Sequence, residues 1–473
     1  MAIPASTTGR RFTSTNPARP DVVVGEFVAA TPEHVATVVT AAAKAQVDWA
    51  GAPARRRATI VGGIAHALAR QTRELAALIT TEEGKTLAES EGEVAKSIEQ
   101  FHFASQLAYL SEGSTFPEEE AGTFTFTLRS PLGVVAAITP WNFPLSLPAK
   151  KLGPALASGN AVVLKPSPVT AAVGEALVRT CREAGVPEGL VQLVHGDDPA
   201  AMEALVGNPG VRAISFTGSD GVGEVIRRRV RPGVRLQFEL SGHNGAVVCP
   251  DADLRVAARA IAAGSFGLAG QACSATGRAL VHREVYPAFR QHIAEAVADY
   301  RVGPGDDPAT RCGPVATPAQ LDRLTGLMAK AEADGTVVAR APGPEGGSGV
   351  RSGYFIRPTV FEDLGHDHPL NAGEVFGPLL SLVPVEDVEE ALTILARSAF
   401  GMVTGIHTKD LSTALAFARR VPSGVVKINR KTTGNGIAPP FGGWKASSSG
   451  AFPEGGRQAL EFFTETKAVY CGQ

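Results

Sequence analysis

Between Pro32 and Leu110 apolar residues recur three and four positions apart, as in "ATIVGGIAHALARQTRELAALITTEEGKTLAESEGEVAKSIEQFHFASQLAYL", and predict a run of amphipathic helices. The period then changes. "TFTFTLR" (Thr123–Arg129) alternates every second residue, the pattern of a half-buried strand, while "GVVAAIT" (Gly133–Thr139) is continuously apolar, as a strand buried on both faces requires. From there short strands and helices take turns: "NAVVLKP", a helix Thr170–Ala184, "VQLVHG", a helix Ala200–Val206, "VRAISFTGS", a helix Val222–Arg228 and "RLQFELSG". Such a rhythm predicts a parallel sheet covered by helices on both sides. After Gly245 it repeats with "GAVVC", a helix Ala252–Phe266, "RALVHREV", a helix Pro287–Tyr300, and later "EALTILARSAF", "GMVTGIHT", "LSTALAFARR" and "GVVKIN", so a second α/β unit is expected. "APGPEGGSGVRSG" (Ala341–Gly353) reads as a surface loop.

Composition narrows the class. The 473 residues are 44% hydrophobic and 19% charged, ordinary globular proportions, and at roughly 100–200 residues per domain they form two or three domains. A net charge of −2 offers no electrostatic footprint for nucleic acid or an anionic membrane, and no apolar window is long enough to span a bilayer. Cys181, Cys249, Cys273, Cys312 and Cys471 are odd in number, widely spaced and without a CxxC pair. That argues against a disulfide framework or a metal site, and with an N-terminus lacking a signal-peptide core it leads us to expect a reducing cytoplasm.

Five stretches offer chemistry. In "ISFTGSDGVGEVI" a strand runs through Gly218, Gly221 and Gly223 into a helix, which suits either a phosphate or an ordinary tight turn. Lys165 ends an apolar strand, where a cation meets a nucleotide or merely solvent. Glu239 follows a mostly apolar strand, a costly place for an unpaired carboxylate. Trp141 and Asn142 occupy a proline-bracketed turn, from which an amide N–H can reach an oxyanion. Cys273, in "FGLAGQACSATGR", reads equally as a buried small side chain or as a nucleophile.

Taken in order, "PWNFPL", "KLGPALASGNAVVLKPS", "FTGS…G", "FELSG", "GQACSATGR", "EVFGP" and "PFGGWKASSSG" resemble the aldehyde dehydrogenase superfamily over nearly the whole chain, with Cys273 34 positions after Glu239 (273 − 239). The resemblance implies an α/β fold in three parts: a Rossmann-like cofactor domain (1–121 and 132–240), an α/β catalytic domain (241–446), and a small β bridging element (122–131 and 447–473, with "EFFTETKAVY" as strand) that joins subunits in a homodimer or homotetramer. It further implies that Cys273 attacks a small-molecule aldehyde, that Asn142 and the Cys273 backbone N–H hold the oxyanion, that Glu239 activates the hydrolytic water, and that Lys151 supports proton transfer. Trp141, Lys165, Ser167, Pro168, Gly218, Ser219, Gly223, Leu240, Glu374 and Phe376 are implied as cofactor contacts.

The departures carry expectations of their own. NAD-selective members place a glutamate where this chain has Pro168; its absence removes a ribose contact and also a repulsion against a 2′-phosphate, so NADP or use of both NADP and NAD is expected. Ser241 and His243 stand in "ELSGH" for the usual "ELGGK", and Leu268 stands for the usual asparagine before the nucleophile. In the loop "INRKTTGNGIA" (Ile428–Ala438), Arg430 and Lys431 are candidate clamps for a remote carboxylate, with Phe441 as a further substrate contact, and the C-terminal third resembles semialdehyde dehydrogenases acting on α-ketoglutarate semialdehyde. A CoA-acylating relative generally lacks the Glu239 carboxylate, and a silent scaffold has no need of Cys273, Asn142, Glu239 and Glu374 together. Both are weaker alternatives.

Overall fold

The computed structural model describes residues 9–118, 120–196, 199–343 and 353–472, so most of the loop expected at Ala341–Gly353 lies outside the described residues. An antiparallel hairpin (Arg11–Asn16 with Arg19–Val28) precedes four helices, Pro32–Ala50, Ala54–Arg70, Thr72–Glu83 and Leu87–Leu107. Local chemistry sets their ends. Thr31 caps the first through the His34 N–H, and Gly84, at φ +101, takes the left-handed position that stops the third. Thr86 and Glu89 close a reciprocal capping box at the start of the fourth.

The first parallel sheet has five strands in the order Val191–Leu193, Ala161–Lys165, Val134–Ile138, Val211–Thr217, Arg235–Glu239. Its central strand, "VVAAI", and the neighbouring "AVVLK" are buried along their whole length, as the unbroken hydrophobic pattern requires. Because all five strands point the same way, Lys165, Thr217, Glu239 and the turn after Ile138 gather at one edge, where such sheets bind ligands. The second sheet has seven strands, Thr336–Arg340, Thr359–Glu362, Leu379–Val385, Thr276–His282, Asn244–Val248, Val403–His407 and Val425–Ile428; only the first pair is antiparallel.

A small antiparallel sheet orders Thr464–Cys471, Phe124–Pro131 and Thr115–Phe116. One expectation is corrected here. Glu461, Phe462 and Phe463 are not strand but belong to a short helix, Ala459–Phe463, because Phe462 and Phe463 bury in the core of the first sheet; the strand begins at Thr464. Among the described residues no helix is long and apolar enough to cross a membrane.

Candidate active site

A cleft of about 890 Å³ lies at the edge where the first sheet's strands end, and its wall includes Trp141, Asn142, Gly218, Ser219, Leu240, Cys273, Glu374, Phe376, Lys431 and Phe441. Residues scattered over 300 positions therefore meet in one space. Glu239, Lys151, Lys165, Ser167, Pro168, Gly223 and Arg430 are not part of that wall.

Cys273 stands between the helix Leu254–Phe266 and the strand Thr276–His282. Leu268 and Ala269 just before it have φ of +58 and +51, a left-handed pair that non-glycine residues rarely adopt. The Leu268 N–H donates to Glu89 at 2.7 Å, and Asn142 Nδ2 donates to the Gln271 carbonyl at 2.8 Å. Behind the thiol, Gly242 has no alternative: a Cβ there would sit 2.0 Å from the Cys273 carbonyl oxygen. Burial, then the Glu374 and Glu239 carboxylates, push the Cys273 thiol up to about 12.

Glu239 is buried behind this wall, accepting from the Gly443 N–H at 3.3 Å and from Ser448 Oγ at 3.4 Å. Burial and the neighbouring Glu454 raise its carboxyl well above the usual range. Lys151 is also buried and bonds Ser215 Oγ at 2.8 Å and the Glu454 carboxylate. Lys150 approaches the other Glu454 oxygen at 3.2 Å and packs 4.2 Å from the centroid of the Phe441 ring. Burial works against ionisation of Glu454, but Lys151 and Lys150 outweigh it and hold the group at about 2. Glu454, in the loop "FPEGG", was not legible as a site residue. Its only sequence signal is an acid inside an apolar, glycine-rich stretch.

The end of the cleft beside the helix Asp220–Arg229 has features that suit an anionic ligand. Ser219 caps the helix Asp220–Arg229, whose first turn opens onto the cleft, so backbone N–H groups and the helix dipole favour an anion there. Gly223 packs on Leu240, where a Cβ would come within 2.9 Å of that side chain. Glu374 accepts from the Gly242 N–H at 2.8 Å, and burial raises it to about 7. Phe376, at φ +46, meets Trp141 edge-to-face with centroids 5.6 Å apart. Lys165 is buried with Nζ 3.1 Å from the Gly196 carbonyl, and Ser167 caps the short turn Pro168–Thr170. His243 is buried against Ser398, with burial holding its ring at about 3, and does not face the cleft.

At the other end the expected cationic pair splits. Lys431 lines the cleft, whereas Arg430, in the bend that follows the strand Val425–Ile428, is exposed outside it. Two lysines that were not singled out, Lys96 and Lys150, line it instead, from the helices Leu87–Leu107 and Ser146–Ala157.

A parallel α/β sheet whose strand ends meet a helix N-terminus, a cysteine and an asparagine in one cleft is the architecture of a dinucleotide-dependent dehydrogenase. The chain belongs to the aldehyde dehydrogenase family, whose profile matches residues 4–469, and it is an NAD(P)-dependent aldehyde dehydrogenase. It is 38% identical to an α-ketoglutarate semialdehyde dehydrogenase of Haloferax volcanii, covering 98% of this chain and 96% of the relative. It is 37% identical to a 2,5-dioxopentanoate dehydrogenase of Saccharolobus solfataricus, covering 98% and 97%. A solved NADP-dependent enzyme of E. coli superposes with a TM-score of 0.94 at 30% identity over 99% of this chain and 96% of that one.

Proposed function

We propose that this enzyme oxidises a small aldehyde bearing a remote carboxylate. The observation that carries the reading is the set of ammonium groups, Lys96, Lys150 and Lys431, on the wall of the cleft that holds Cys273. Lys96 is lowered first by burial and then by Lys150, so an anionic substrate beside Lys96 relieves the cost. The names of the two relatives support the same chemical class.

The steps follow from the residues. The Cys273 thiol, held protonated by its surroundings, first gives up its proton to water in the open cleft; the thiolate then forms a C–S bond to the aldehyde carbon, and the carbonyl oxygen becomes an oxyanion. The Asn142 amide carries two N–H groups; one is held by the Gln271 carbonyl and the other is left for that oxygen, beside the Cys273 backbone N–H. Bound NAD(P) supplies one thing, an acceptor for the hydride that leaves the same carbon. The oxyanion collapses to a thioester on Cys273. Glu239 then removes a proton from water, the resulting hydroxide attacks the thioester carbon, and the C–S bond breaks to release the acid. Burial makes Glu239 a stronger base than an exposed carboxylate, and its two long hydrogen bonds are weak enough to release it toward the water. Lys151 and Glu454 form the charged path behind it.

For the cofactor, Trp141, Gly218, Ser219, Leu240, Glu374 and Phe376 would hold the nicotinamide and diphosphate portions, with Gly223 supporting Leu240, and Lys165 and Ser167 would meet the adenosine ribose. With Pro168 in place of a carboxylate, NADP or use of both cofactors is the reading we favour. The 1–121 and 132–240, 241–446, and 122–131 and 447–473 divisions serve as cofactor, catalytic and bridging parts. The outer edge of Thr464–Cys471, beside exposed Phe124, Leu128 and Tyr470, supports assembly as a homodimer or homotetramer, which sedimentation at equilibrium tests.

The functional test is a kinetic panel with both cofactors. The carboxylate-bearing semialdehyde is expected to exceed a neutral aldehyde of equal length at least tenfold in kcat/KM. Equal values, or turnover that requires CoA, overturn the reading.

A further inference from the structure

We propose that residues 85–93, the turn and first helical turns ahead of the catalytic parts, form a frame that sets the geometry of the oxyanion hole, with Lys85, Glu89 and Glu93 as positioning residues. The proposal rests on the reading of Asn142 as an oxyanion donor.

Lys85 is buried, and its Nζ donates to the Asn142 carbonyl at 2.6 Å and to Glu93 Oε2 at 2.7 Å. The other Glu93 oxygen accepts from the Leu145 and Ser146 N–H groups at 2.9 and 3.0 Å. Those amides open the helix Ser146–Ala157, which has no side-chain cap of its own. The Asn142 turn is thus clamped at one end by a cation on a carbonyl and at the other by a carboxylate on two amides, and the two clamps are paired with each other.

Glu89 holds the opposite wall. Its Oε1 accepts from the Leu268 N–H at 2.7 Å, while its Oε2 is fixed by the Thr86 N–H and hydroxyl at 2.9 Å each. That contact falls on the strained left-handed pair Leu268 and Ala269, a conformation that persists only when its surroundings impose it. Gln271 follows, and its carbonyl receives the Asn142 amide. One short segment therefore holds the side-chain donor and the chain leading to the Cys273 N–H in a single register. Stability alone does not call for this, because well-packed apolar residues often serve as well as a buried ion pair. Here the charged atoms are spent on backbone groups of the two loops that face the thiol.

The experiment is a double-mutant cycle on the full-length enzyme, reading the single-turnover rate of hydride transfer, the cofactor KM and the melting temperature. Lys85→Met is expected to slow hydride transfer 10- to 100-fold with the cofactor KM within about twofold, the cost of displacing a preorganised donor. In an Asn142→Ala background the same change is expected to cost less than about threefold, because the group it positions is gone. Equal losses in both backgrounds, or none in the wild type, overturn the proposal. Should Lys85→Met not fold, Glu93→Gln, which keeps an acceptor for Leu145 and Ser146 but loses the charge that orients Lys85, runs the same cycle with the same criteria. An Asn142→Ala enzyme with wild-type hydride transfer would remove the underlying reading, and the frame with it.

Discussion

Asn142 and Gln271 are joined by a 2.8 Å hydrogen bond from side-chain amide to backbone carbonyl, which ties the turn beyond the first sheet's central strand to the residue two places before Cys273. The proposed role of Asn142 as oxyanion donor requires a fixed element, and this bond fixes it. Asn142→Ala is expected to lower kcat by about 10²–10³-fold while leaving cofactor affinity near its original value. Steady-state kinetics with a fluorescence titration of the reduced cofactor separate the two.

Substrate charge gives the second prediction. Lys96 lines the cleft and makes no ion pair within 4 Å among the described residues, so its charge is available to a ligand. Lys96→Met is expected to raise KM for a carboxylate-bearing semialdehyde by roughly tenfold, the worth of one charged hydrogen bond, and to leave a neutral aldehyde unchanged. A parallel rise for both substrates would show that the lysine shapes the cleft without reading charge.

What the sequence could and could not show follows from where each signal resides. Cys273, Asn142, Glu239 and Glu374 sit in ordered motifs, and the apolar runs of the first sheet announce a doubly covered parallel sheet. Lys85, Glu89 and Glu93 were invisible because "EGKTLAESEGEVAKSIEQ" mixes charges like a solvated helix face; Lys85 and Glu93 are buried, and Glu89 partly buried, only because of the loops that pack over them. Arg430 and Lys431 are adjacent in sequence, and no local rule says which of two neighbours on an irregular loop turns inward. The hairpin at Arg11–Val28 also escaped, since its second strand is mostly exposed and lacks a clean alternation.

Cofactor choice is testable at one position. Pro168 opens a short helical turn capped by Ser167, beside the buried Lys165. Pro168→Glu would place a carboxylate there, adding an acceptor for ribose hydroxyls and repelling a 2′-phosphate. The ratio of kcat/KM for NADP over NAD is expected to fall at least tenfold, about 1.4 kcal/mol. A ratio that does not move would assign the choice to other residues.

The acid limb of cofactor binding should report on Glu374. Burial raises this carboxyl from its ordinary value of 4.5 to about 7, against the Gly242 N–H and Arg323, which favour the ionised form. Ribose hydroxyls donate best to an ionised carboxylate, so affinity falls as pH drops through 7. Between pH 8 and pH 6 the cofactor dissociation constant is expected to rise about tenfold, the change in ionised fraction of a group titrating at 7. Folding runs the other way. A carboxyl raised in the native state holds more protons than in the unfolded chain between 4.5 and 7, so its contribution to stability is present below 4.5 and is lost as pH rises through 7. The thermal shift produced by saturating cofactor should therefore grow with pH while the free enzyme's contribution from this site declines. Glu374→Gln, neutral throughout, is expected to weaken binding at pH 8 and to flatten the dependence, as isothermal titration at pH 6, 7 and 8 would record. A slope that survives the substitution would assign the titration to a different group.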